Sequence, residues 1–97
     1  MGFLLGQTVM TCGVNAQMQR DEYFGAHVHD CIRRHLSGDW GDLGDEDKAS
    51  NDAAINPPGG CEADRIFSAY ESAEHPKIWI ITEWDRSVTT VLFPDEY

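Results

Sequence analysis

The sequence predicts a single α+β domain of 97 residues, ordered β-α-α-β-β-β, with two helices packed on one face of a three- to four-stranded antiparallel sheet. Three observations carry this. Phe24, Val28, Ile32 and Leu36 recur at four-residue steps, the spacing of one apolar helix face. The run Lys77-Ile78-Trp79-Ile80-Ile81-Thr82-Glu83 is apolar on both of its faces, as a central strand is. The β-branched run Val88-Thr89-Thr90-Val91-Leu92-Phe93 follows after a short connection and returns alongside it, and Pro94 ends the ladder.

Residues 1–9 begin apolar and read as an extra strand or an N-terminal extension. Thr8-Val9-Met10-Thr11 favours strand, and Gly13 and Asn15 suggest a bend or bulge, which places a strand near 7–15. Asp21 is a natural N-cap with Glu22 in the first turn, and Arg33, Arg34 and His35 complement the dipole at the other end before Gly38. The first helix therefore runs over 21–37. Asp42 or Asp45 caps a second, acidic helix running to Ile55, which Asn56-Pro57-Pro58-Gly59-Gly60 ends in an exposed loop at 56–64. Trp40 and Leu43 are expected to fold back as apolar anchors. Arg65-Ile66-Phe67-Ser68-Ala69-Tyr70 reads as a short strand, with a turn from Glu71 to Pro76.

Composition bounds the function. Seventeen carboxylates face seven Lys and Arg, a formal charge of −10. Nucleic-acid binders need cations to replace the counterions on phosphates, so this balance argues against a nucleic-acid partner; the same charge suits solubility (the plainest account), a basic partner protein, or mimicry of a nucleic acid. Arg33-Arg34 beside Arg20 is the one candidate basic patch. The longest apolar runs, Phe3-Leu4-Leu5 and Ile78-Trp79-Ile80-Ile81, fall far short of the roughly 20 residues of a membrane span, and no signal-peptide pattern opens the chain. The expected location is the cytoplasm, with no membrane role. Cys12, Cys31 and Cys61 are odd in number and widely spaced, which fits reduced thiols rather than a disulfide framework.

Several strings stand out in order: Gly38-Asp39-Trp40-Gly41-Asp42-Leu43, then Asp47-Lys48, Asn51-Asp52 and Ser68-Ala69-Tyr70. They are followed by 77–83, by Asp85-Arg86-Ser87 leading into 88–94, and by Glu96-Tyr97. In these strings the chain resembles a group of small proteins carried by bacterial plasmids, integrated elements and gene cassettes. The resemblance covers roughly residues 10–97 and leaves out residues 1–9, the 56–64 loop and the cysteines. It implies a mobile-element setting and carries no chemistry with it, since no activity is established for the group.

The chemical constellations are weighed singly. His27, Cys31 and His35 share a helix face, but three such groups span about 12 Å, so one ion reaches two of them at most. They read as the polar border of the apolar stripe, and no metal or cofactor is expected. Counted from Asp39 as a calcium loop, positions 3 and 5 are Gly41 and Leu43, so the match fails. The element order is similar to that of RelE-like and barnase-like ribonucleases, which work from an exposed sheet face. Arg65, Tyr70, Glu83, Arg86 and Tyr97 are the candidates for such a site, against which the acidic charge weighs. The preferred reading is a non-enzymatic accessory protein acting through protein–protein contacts, one version being an acidic inhibitor of a host defence complex. Trp40, Trp84 and Tyr97 are its interface candidates, and a sheet face left uncovered leaves room for a homodimer.

Overall fold

The computed structural model describes residues 6–55 and 65–97. The expected extension and the Pro/Gly loop fall largely or wholly outside these. The fold is α+β: strand β1 (Gln7–Met10), helices α1 (Cys12–Arg20), α2 (Glu22–Leu36) and α3 (Asp45–Ile55), strands β2 (Ile66–Tyr70), β3 (Ile78–Thr82) and β4 (Val88–Leu92), then a 3-10 turn at Pro94–Glu96.

The sheet runs in the order β1-β4-β3-β2. β2, β3 and β4 form the expected antiparallel meander, with Ser68 opposite Ile80 and Ile80 opposite Val91. β1 departs from expectation by running parallel to β4, Gln7 opposite Val88 and Met10 opposite Val91, so the sheet is mixed. The strand expected near 7–15 also stops at Met10. Thr11 turns outward as an N-cap, its hydroxyl accepting the Val14 N–H at 3.3 Å, and a third helix begins. Asp21 closes that helix and caps the next, accepting the Tyr23 and Phe24 amides at 3.0 and 3.3 Å.

Strand alternation divides the side chains between two faces. Ile66, Ser68 and Tyr70 of β2, Ile78, Ile80 and Thr82 of β3, and Thr89 and Val91 of β4 share the first. Val14 of α1 and Phe24, Val28 and Cys31 of α2 close over it, all fully buried. Within this core lies a polar chain: His35 Nδ1 meets the Ser68 hydroxyl, Nε2 meets the Thr82 hydroxyl at 2.9 Å, and Thr82 meets Thr89 at 2.7 Å. Burial drives the His35 pKa down to about 4, with the Arg86 charge adding to it, so the ring is neutral and both nitrogens are used.

The second expected helix does not join that layer; α3 sits at the free edge of β2. Asn51 accepts the Phe67 N–H at 3.0 Å and donates to the Phe67 carbonyl. Beyond it the Ala69 N–H donates to the Trp40 carbonyl at 3.3 Å, and the Asp42 N–H donates to the Ala69 carbonyl at 2.7 Å. Edge groups that would recruit another strand are thus occupied at both residues. Gly41 makes this crossing possible with φ +75°, since a Cβ there would lie 2.1 Å from the Ala69 oxygen.

Candidate functional site

The second sheet face carries Phe67, Ala69, Trp79, Ile81 and Leu92 by the same alternation. Its aromatic rings meet edge to face. Phe67 and Trp79 lie on neighbouring strands, 5.0 Å between centroids and 87° between planes. Tyr97 comes to Trp79 from beyond the end of β4, at 5.7 Å and 68°. Such edge-to-face contacts fix ring orientation. Tyr97 follows the terminal 3-10 turn, which Glu96 ties down: its carboxylate accepts the Phe93 N–H at 2.8 Å and the Thr11 hydroxyl at 2.6 Å. Those two hydrogen bonds, the Thr11 one foremost, hold the Glu96 carboxyl below its usual range.

Between these rings and α3 lies an open cavity of about 430 Å³. Phe67, Trp79 and Ile81 form its floor, Tyr97 and Arg65 one wall, and Asp47, Ser50 and Asn51 of α3 the other. The Asn51–Phe67 pairing sets where that second wall stands. Arg65 reaches across to donate to the Tyr97 hydroxyl at 3.2 Å. Asp45, Glu46 and Asp47 form an exposed acidic turn at the start of α3. Among the described residues its lining combines an apolar aromatic floor with one guanidinium and one carboxylate.

The residues singled out in the sequence are dispersed. Trp40, expected both as anchor and as interface aromatic, is a core residue at 3% exposure: it packs on Ile66 and Leu43, and its indole N–H donates to Asp52 at 2.9 Å. Trp84 is 58% exposed on the β3–β4 connection, and Tyr97 is 70% exposed at the cavity. Of the five ribonuclease candidates, Arg65 and Tyr97 are the two that meet at the cavity. Tyr70 is fully buried on the opposite face, its hydroxyl donating to the Asp39 carbonyl at 2.6 Å and the Arg34 guanidinium lying over its ring. Arg86 is turned back into the β3–β4 connection, donating to the Glu83 and Trp84 carbonyls at 3.1 and 3.2 Å. Glu83 follows β3, its N–H bonded to the Val88 carbonyl at 3.0 Å.

The helix-face trio separates as well. His35 points into the polar core, while His27 lies 3.6 Å from the Cys31 sulfur and stacks on His75 at 4.8 Å. Burial raises the Cys31 thiol to about 11, unfavourable for a metal-binding thiolate. Among the described residues no three His, Cys, Asp or Glu converge as metal ligands, and no helix is long and apolar enough to cross a membrane.

The cavity residues Phe67, Asp47, Ser50 and Asn51 are not among the site candidates of the sequence, and Trp79 figures there only as part of a central strand. A signal for them exists: alternation puts Phe67, Trp79 and Ile81 on the face away from α2, and Asp47, Ser50 and Asn51 are spaced for one side of a helix. No family model, curated protein or solved structure matches the chain.

Proposed function

We propose that this protein is a non-enzymatic accessory protein of a mobile genetic element that binds a basic protein partner through the aromatic cavity. The observation that carries the reading is the edge-to-face group of Phe67, Trp79 and Tyr97 beside the acidic first turn of α3. Aromatic rings supply large contact area at low entropic cost, which is why they dominate binding hot spots. The net charge of −10 supports a cationic partner over a polyanion. The mobile-element setting comes from the sequence resemblance alone.

The ribonuclease reading keeps one supporting observation, the Arg65–Tyr97 contact in a cavity of sufficient size. It lacks Tyr70 and Arg86 at that place.

One fluorescence experiment separates the two. In a Trp84→Phe background the remaining indoles are buried Trp40 and Trp79 in the cavity, so emission reports on the site. Titration with poly-L-lysine is expected to change it saturably, more weakly at higher salt, and poly-L-glutamate is expected to do nothing. Incubation with mixed RNA without metal is expected to leave the RNA intact. RNA cleavage lost in Arg65→Ala, with no response to poly-L-lysine, would replace the binding reading by the nuclease one.

A further inference from the structure

Arg65 already places a guanidinium in this cavity. Its Nη2 donates to the Tyr97 hydroxyl at 3.2 Å, and both residues line the cavity with Trp79 and Asp47. The contact spans 32 positions of sequence, so the fold, rather than chain proximity, brings that cation to the aromatic wall. A planar guanidinium suits such a place. It stacks on aromatic faces, gives up its hydration more readily than an ammonium, and meets a carboxylate with two parallel N–H donors.

We propose that the cavity is a receptor for one arginine side chain of the partner, and that Arg65 is an internal competitor for the same seat. The incoming guanidinium lies against Trp79 between Phe67 and Tyr97, with Asp47 as its counter-charge. Arg65 must leave the Tyr97 hydroxyl when it arrives. This assignment rests on the basic-partner reading above. At about 430 Å³ the cavity exceeds one side chain, leaving space for the flanking backbone of an extended segment.

Self-competition has a signature that plain charge attraction lacks. If the free protein holds its own cation in the seat, apparent affinity is lowered by the fraction of time the seat is open. Removing Arg65 then tightens binding by more than the loss of one positive charge at an exposed site.

The test uses the full chain carrying Trp84→Phe and two peptides, penta-arginine and its neutral citrulline isostere, with tryptophan emission as readout and circular dichroism as the check on folding. Tyr97 and Asp47 are exposed, so Tyr97→Ala and Asp47→Asn leave the core untouched. Penta-arginine is expected to bind and penta-citrulline not to. Tyr97→Ala is expected to weaken penta-arginine about three- to tenfold, the range of a cation–aromatic contact, and Asp47→Asn to weaken it through the lost counter-charge. Arg65→Gln is expected to tighten it, whereas Arg33→Gln, a distant charge removal, moves it far less. Equal effects of Arg65→Gln and Arg33→Gln would overturn self-competition. Undiminished binding by Tyr97→Ala and Asp47→Asn would overturn the arginine seat while poly-L-lysine binding still upheld the basic-partner reading. Failure of both cationic probes would remove the two together.

Discussion

Asn51 holds the backbone of Phe67 at both of its polar groups, accepting from the N–H and donating to the carbonyl. This one side chain fastens α3 to the edge of β2 and aligns one wall of the cavity with its floor. It is 4% exposed, so neither bond is readily replaced by water.

Asn51→Ala leaves a strand N–H and C=O without their partner, and a loss of about 1–3 kcal/mol is expected in urea unfolding. The uncovered edge also favours association between chains, so light scattering should rise at high concentration. Unchanged stability would mean that α3 is held by other contacts.

His35 makes stability depend on pH. Its folded pKa, about 4, lies below the ordinary 6.5, so its contribution is complete above about pH 6.5 and is lost as pH falls toward 4. The full difference is about 3 kcal/mol at 1.36 kcal/mol per unit. Subtracting the unfolding profile of His35→Asn from that of the native chain isolates it from the other acids and bases. That difference should shrink steadily on acidification, and a flat difference would show that His35 does not bind its proton in this window.

Gly41→Ala meets two obstacles at once, a left-handed backbone and a Cβ 2.1 Å from the Ala69 carbonyl oxygen. The first alone costs about 1–2 kcal/mol. A larger total loss is expected, because the neighbour is backbone and cannot rotate away. At Gly44, where an added Cβ meets nothing within 4 Å, Ala is expected to be tolerated, and paired thermal melts compare the two.

Thr11 joins the start of α1 to the C-terminal turn, capping the helix and donating to Glu96 at 2.6 Å. Thr11→Ala should cost about 1 kcal/mol as a lost cap. Because Glu96 precedes Tyr97, the same change should also weaken penta-arginine binding. Thr11→Ser, which restores the hydroxyl, should recover both.

What the sequence disclosed follows the range of the interactions concerned. α2 was legible because its cap, stripe and stop signal are all local: Asp21, the four-residue apolar steps and Gly38, whose φ of +89° ends the helix. β3 and β4 were legible for the same reason. α1 was not, since strand-favouring residues run up to Thr11 and Gly13 and Asn15 resemble breakers. Its apolar stripe, Val14 and Met18, is one turn long. The parallel pairing of β1 and the Arg65–Tyr97 contact depend on positions far apart in sequence, where no local pattern reports the partner. Trp40 carried two expectations, anchor and interface aromatic, and its burial beside the Gly41 crossing agrees with the first alone.

The partnership of β1 with β4 bears on how the molecule comes to be made. Val9 finds its register opposite Thr90, so the sheet closes only once the residues of β4 have been made. Such distant closure carries a large loop entropy and slows folding. During synthesis β1 is made first and stays without its strand partner until β4 follows, and the flank of β4 is bare until the two meet. In that interval a nascent chain is most vulnerable to a stray strand from its neighbour.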